Sequence, residues 1–314
     1  MKPTHALRKS LFPSRLRGIA RYSALMLLFP AAGGMASEGT SLRQVVYQGK
    51  QIVAEVSDGV VFLQDDVLAF PGEVTSIGDV VTHAHSDHAI DEPQVGTARL
   101  WRKSNLTYAF QSAVPSSVRN LLRQGAGIWN EATSWQFTET ANVNSADIVV
   151  ANSASRCAAS VGAPADGDQA TMTLSTDCTL RSMVHELGHV VGMIHEHQRP
   201  GRDRWVRVRQ DTLDYIKQNY PASTYNLVIA ALRPEHFSPG QPYAMDTGSI
   251  MMYGSYPHRS PMNEDLMERN LPFFTAPDGS LYEASPARLS NKDIATAEYL
   301  ATLITRVNSL LLHY

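Results

Sequence analysis

His185-Glu186-Leu187-Gly188-His189-Val190-Val191-Gly192-Met193-Ile194-His195 is the stretch on which the reading of this chain turns. Two histidines four apart on a helix are separated by about 400°, hence about 40° around the axis, so both rings reach one point. Glu186 projects from the neighbouring turn face, close enough to touch a water on a shared metal without being a ligand. Gly192 can adopt the left-handed conformation that stops a helix, and the chain then delivers His195 from another direction. Three imidazoles and an open position make a catalytic zinc site, whereas a structural site is closed by four protein ligands. The competing reading is an amphipathic helix whose histidines are surface or core residues. Gly192 and His195 count against it, because each has its own geometric job.

Around this motif the chain is ordinary. It has 314 residues and 34.5 kDa, which allows roughly two domains of about 150 residues. Apolar residues make up 43% and charged residues 18%, which excludes disorder, collagen and coiled coil for the whole. A net charge of −3 gives no general pull toward nucleic acid or an anionic membrane. Two cysteines cannot form a Cys-only zinc site.

The opening concentrates Arg8, Lys9, Arg15, Arg17 and Arg21, followed by the apolar run Ala24–Phe29 and the small residues Gly34-Met35-Ala36. Residues 1–36 are therefore read as a signal peptide, the alternative being an uncleaved basic tail. The apolar run is well short of the ~20 residues a spanning helix needs. Residues 37–92 read as a separate unit with short β-like patches at Gln44–Tyr47 and Val60–Leu63. Beyond Leu100 the elements lengthen. Val118, Leu121, Leu122, Gly125, Ile128 and Trp129 predict an amphipathic helix starting near Pro115. Asp147–Ala151 and Ala170–Leu174 predict strands, and Ser290 caps a last helix carrying Ile294, Ala297, Leu300 and Ile304.

After the zinc motif, His195-Glu196-His197-Gln198-Arg199-Pro200-Gly201-Arg202-Asp203 closely resembles the extended signature of the astacin family of zinc metalloproteases, HExxHxxGFxHExxRxDRD. Ser249-Ile250-Met251-Met252-Tyr253-Gly254 resembles that family's Met-turn, and Pro242–Gly248 its approach. Cys157-Ala158-Ala159-Ser160-Val161-Gly162 and Cys178 resemble the family's pair flanking a loop before the zinc helix. The resemblance implies a catalytic domain over residues 93–314. Its fold would be α+β of the zincin or metzincin kind, with a twisted N-terminal sheet and two long helices, one carrying the zinc motif. An irregular C-terminal subdomain would hold the Met-turn and the last helix, with no accessory domain after it.

Carried over residue by residue, the resemblance implies one zinc on His185, His189 and His195, with Glu186 as general base. Tyr253 would be a fifth, swinging ligand that stabilises the oxyanion, and Met251 an apolar floor. Glu196 would meet the new N-terminal ammonium after activation; the bland rival is a plain Glu196–Arg199 pair. Cys157 and Cys178 would form a disulfide closing a loop of about 20 residues, worth roughly 3 kcal/mol in the chain-entropy model. Two buried thiols are the alternative. Met193, Met252 and Gly201 depart from the family pattern, and Ser134 stands where its second disulfide would begin.

The family is made as zymogens in which an Asp of an F-x-G-D motif occupies the open zinc position. Phe70-Pro71-Gly72-Glu73 resembles that motif, making Glu73 the expected latency ligand, against an ordinary turn with a solvated Glu. His83-Ala84-His85-Ser86-Asp87-His88 resembles the HxHxDH motif of metallo-β-lactamases, with a solvated linker or an accessory metal site as the other readings. The function expected is a secreted or periplasmic zinc metalloendopeptidase, monomeric, activated by another protease between His88 and Thr97. Its protein or peptide substrate would bind extended along an edge strand, for which Ala170–Leu174 is the candidate by resemblance. The alternatives are an exported zinc-binding adhesion module and, through His83, His85 and His88, a lactamase-type hydrolase.

Overall fold

Alternating β-branched and polar residues start the described chain as strands: β1 (Ser41–Tyr47), β2 (Lys50–Ser57), β3 (Val60–Phe62), β4 (Val67–Leu68) and β5 (Val74–Val80). The computed structural model describes residues 41–311 except 48–49, 58, 64–65, 71–72, 81–93, 97–98, 166–167, 238–243 and 257–261. The expected signal peptide and the His83–His88 run lie outside the described residues. Among the described residues, no helix is long and apolar enough to cross a membrane.

A short strand β6 (Gln94–Gly96) leads into β7 (Asn105–Phe110), and helix α1 (Ser116–Ala132) then begins one residue after Pro115. Its stripe of Val118, Leu122, Ala126 and Trp129 is buried. Four strands follow, β8 (Gln136–Glu139), β9 (Ile148–Asn152), β10 (Cys157–Ser160) and β11 (Ala170–Leu174). They precede the zinc-motif helix α2 (Leu180–Val191). Thr179 and Ser182 cap its start reciprocally, and Gly192 ends it at φ 110°, the left-handed conformation the sequence predicts. The Trp129 indole donates to the Val184 carbonyl at 2.9 Å, and the Trp101 indole to the Val190 carbonyl at 2.7 Å. Both fix α2 from buried positions.

The remaining chain forms β12 (Arg207–Val208), α3 (Gln210–Asn219), α4 (Ala222–Leu232), β13 (Glu235–Phe237), α5 (Met262–Glu268), β14 (Phe274–Thr275) and α6 (Asn291–Leu311). A second core gathers here around Leu213, Ile216, Leu266 and Phe274. The last helix belongs instead to the first core, through Ala297, Leu300 and Ile304.

Ten strands make one sheet in the order β5-β1-β2-β3-β4-β10-β11-β9-β7-β8. The first five, all from the 37–92 segment, are joined to the rest at one seam. There β4 runs parallel to β10, Val67 opposite Ala159 and Leu68 opposite Ser160. This arrangement corrects the expected substrate strand. Ala170–Leu174 is an inner strand, paired to β10 on one side and β9 on the other, so both of its backbone edges are used. The strand at the border of the 93–314 part is β10.

Candidate metal centre

His185 and His189 leave the same face of α2, and the turn at Gly192 returns His195 to them. The His189 Nε2 atom lies 3.1 Å from His195 Nε2, and His185 Nε2 lies 3.3 Å from it. All three side chains are buried. Each ring is oriented by an oxygen at its other nitrogen: Nδ1 of His185 donates to the Ile250 carbonyl at 2.8 Å, and that of His189 to the Met193 carbonyl at 2.9 Å. His195 Nδ1 donates to Gln198 Oε1 at 2.5 Å. Carbonyl partners place the proton on Nδ1 and leave Nε2 as a bare lone pair.

Burial pushes His185 down to about 3 and also lowers His189, so these two imidazoles are neutral near pH 7. Three lone pairs facing one another in a dry pocket repel unless a cation sits among them. Their spacing suits zinc, since ligand bonds of about 2.0–2.1 Å at tetrahedral angles give edges of about 3.3 Å.

The fourth corner holds a carboxylate that sequence reading did not find. Asp66, just before β4, places Oδ2 3.1 Å from His185 Nε2 and Oδ1 3.1 Å from His195 Nε2. The four donor atoms lie within 4.8 Å of one another. Burial alone would raise this carboxyl, yet against three imidazoles it stays well below the usual carboxylate range. Ionised carboxylate and neutral imidazoles are the protonation states in which these groups bind a divalent metal.

Glu73 does not reach this corner. It is buried, its backbone N–H donates to the Phe70 carbonyl at 3.0 Å, and its carboxylate pairs with Arg99. The pairing with Arg99 holds this carboxylate at the start of the 93–314 part instead of the metal site. The signal available for Asp66 was its place at the entry to the apolar run Val67-Leu68-Ala69-Phe70.

The other expected residues come together. The Tyr253 hydroxyl donates to Asp66 Oδ2 at 2.5 Å, and its ring centroid lies 4.5 Å from that of His195. Glu186 is buried on α2 beside His185. Met251 is buried so close beneath α2 that a Cβ at Gly188 would lie 2.5 Å from its sulfur. Asp293 clamps the Met-turn to α6, accepting from Ser249 Oγ and, at 2.9 Å, from the Ile250 N–H. Arg181 of α2 donates to the Ile250 and Met252 carbonyls at 3.1 and 2.8 Å.

Glu196 is buried, bridged to Arg199 at 3.1 Å and accepting from the Asp246 N–H at 2.7 Å. Burial pushes its carboxyl up to about 7 despite Arg199. His197, which the sequence reading quoted without giving it a role, stacks on Tyr253 at 4.6 Å and on Phe274 at 5.4 Å. Cys157 and Cys178 form the expected disulfide, Cα atoms 5.8 Å apart.

Comparison with known proteins points to one family. Residues 94–286, more than half of the chain, match the family model Astacin, a family of peptidases. Nematocyst expressed protein 6 of Nematostella vectensis is 26% identical over 67% of this chain and 69% of its own length. Zinc metalloproteinase nas-30 of Caenorhabditis elegans is 27% identical over 71% of this chain, which spans 29% of that protein. Among solved structures, high choriolytic enzyme 1, a hatching enzyme zinc-protease of Oryzias latipes, superposes at a TM-score of 0.49 with 20% identity. That match covers 64% of this chain and 90% of the other.

Proposed function

The chain belongs to the astacin family of zinc peptidases, and from that premise we propose that it is a secreted endopeptidase made as a latent precursor, with Asp66 closing its metal site. The observation that carries this reading is the Asp66 carboxylate in the fourth corner, delivered by a segment that lies wholly before the family domain. Removal of residues up to about 92 would withdraw Asp66 and β4 together.

His185, His189 and His195 would hold the zinc ion, with carbonyl and amide oxygens behind each ring keeping the Nε2 atoms aimed inward. Bound zinc supplies Lewis acidity, which makes water nucleophilic near neutral pH and polarises a peptide carbonyl. Glu186, next to the first ligand and buried, takes the proton from the attacking water and hands it to the leaving amine. The Tyr253 hydroxyl, which donates to Asp66 in the precursor, would donate to the carbonyl oxygen as negative charge develops there.

With β4 gone, β10 becomes an open sheet edge beside the metal. An extended peptide pairing with it through backbone groups would be bound with tolerance for many sequences. Glu196, already facing Arg199, would accept the new N-terminal ammonium as a second cation. Residues 1–36 would direct export, which suits the disulfide.

The test is casein cleavage by the zinc-loaded chain before and after limited proteolysis between His88 and Thr97, beside its Glu186→Ala variant. We expect one zinc per chain, with cleavage appearing after trimming and lost in the variant and on chelation. Zinc retained without cleavage after trimming would instead favour a binding module, and no zinc on the three histidines would overturn the reading.

A further inference from the structure

Arg156 stands immediately before β10, and its guanidinium meets two groups of the 37–92 segment. The Glu55 carboxylate pairs with it, and the Phe62 ring lies under it with Cζ 4.1 Å from the centroid. Arg and Glu side chains are 10% and 3% exposed, so the pair is shielded from water, where such contacts discriminate between side chains most strongly.

The strand register shows what this seat is part of. Glu55 lies opposite Phe62, Phe62 opposite Leu68, and Leu68 opposite Ser160 of β10. Because side chains alternate along a strand, Arg156, Ala158 and Ser160 share one face, while Ala159 turns to the core with α2. Phe62, Leu68 and Ala158 form a small apolar cluster on the first face, with Arg156 at its end. The three histidines and Asp66 lie abreast of the other end of the strand. The Ala159 N–H donates to the Asp66 carbonyl at 2.9 Å, and the Gly162 N–H donates to the His189 carbonyl at 2.9 Å. From Ala159 back to Arg156 is three residues, about 10 Å at ~3.3 Å per residue.

The 37–92 segment therefore shows what this border of the 93–314 part accepts: an extended backbone on β10, an apolar side chain over Ala158, and a carboxylate on Arg156. We propose that Arg156 is a specificity-determining residue of the trimmed enzyme, selecting an acidic substrate side chain about three residues from the scissile bond. The inference rests on the peptidase reading above and deepens it by naming a substrate class. Removing the segment takes Glu55 and Phe62 away and leaves the guanidinium beside the strand that receives the substrate. The Cys157–Cys178 disulfide begins at the next residue, so the backbone that carries Arg156 is tethered rather than loose.

The experiment starts from the zinc-loaded full-length chain, trimmed as above. It compares peptides that differ only in Glu, Gln or Lys at positions two to four residues from the bond cut, on either side. We expect kcat/KM for the best-placed Glu peptide to exceed that of its Gln twin by about tenfold or more, as for a desolvated charge pair. The preference should shrink as salt rises. Arg156→Gln should remove the preference while leaving the Gln peptide within about threefold, and Arg156→Glu should shift it to the Lys peptide.

Equal cleavage of Glu and Gln peptides by the wild type, or an equal loss of both in Arg156→Gln, would overturn the inference. Should Arg156→Gln fail to fold with its precursor clamp gone, Arg156→Lys keeps the charge. It must then retain part of the Glu preference, and loss of all of it overturns the inference. If the trimmed wild type cleaves neither the peptides nor casein, the peptidase reading fails and takes this one with it. Casein cleavage with no Glu preference sinks this inference alone.

Discussion

Strands β1–β5 and the body they cover differ in what holds them. The covering strands bury Val45, Ala54, Val56, Val61 and Ala69 in a small core of their own. The body buries Trp129, Trp135, Leu122, Leu187 and Met183 with many neighbours around α1 and α2. At about 1.5–3 kcal/mol for each fully buried large side chain, the body has a deep reserve and the cover has little. What the cover has instead is attachment: the Asp66 carboxylate among three histidines, the β4–β10 seam, and the ion pairs Glu55–Arg156 and Glu73–Arg99. A cover held by its attachments can be released by a cut that leaves the body intact.

The largest expected effect breaks the strongest attachment. Asp66→Ala in the full-length chain should raise untrimmed casein hydrolysis about 100-fold or more, since losing one partner of a buried charged cluster costs several kcal/mol. Its melting temperature should stay within a few degrees of wild type, because the body's core is untouched. If untrimmed Asp66→Ala is as silent as wild type, the latency proposed for Asp66 fails.

Two further variants act on the body and should do the reverse, lowering thermal stability while leaving latency in place. Replacing Cys157 and Cys178 together by Ser should cost about 3 kcal/mol, read by scanning calorimetry as a fall of roughly 6–12 °C at about 2–4 °C per kcal/mol. Gly188→Ala should cost about 1–3 kcal/mol by overpacking against Met251. Shortening the partner in a Gly188→Ala/Met251→Ala double variant should recover part of that loss, and no recovery would mean the strain lies elsewhere.

The smallest effect is a pH dependence in the second core. Burial would raise Asp265, but Arg269, Tyr220 and Tyr215 bond its carboxylate and bring it below its ordinary value of 3.8. A carboxyl depressed on folding stabilises above its unfolded value, and that contribution is lost as pH falls through the folded one. Asp265→Asn should therefore be less stable than wild type at neutral pH, with the gap closing below about pH 4 in acid melts. A gap that stays constant with pH would rule out linkage through this group.

How legible all this was in the sequence depends on distance along the chain. The zinc helix, its stop at Gly192 and the return of His195 follow from spacing within eleven residues, and the structure places them as spacing predicts. Tyr253, Met251 and the cysteine pair lie farther off and came from resemblance. Asp66 was out of reach because its meeting with His185 spans 119 residues and is fixed by strand register, which no local pattern encodes. Phe70–Glu73 matched the family's letters, yet Arg99 decides where Glu73 goes. Ala170–Leu174 read correctly as a strand, but alternation along one strand does not say whether its neighbours are water or other strands. The pairing with β9 and β10 decides that.

The approach of Met251 to Gly188 constrains how this protein can change over generations. A larger residue at 188 is admissible once 251 has shortened, and a shortened 251 arriving first leaves a void beneath the zinc helix. Each single step is expected to cost stability, while the pair together need not. The two positions, far apart in the chain, are thus expected to drift as one heritable unit or to stand still.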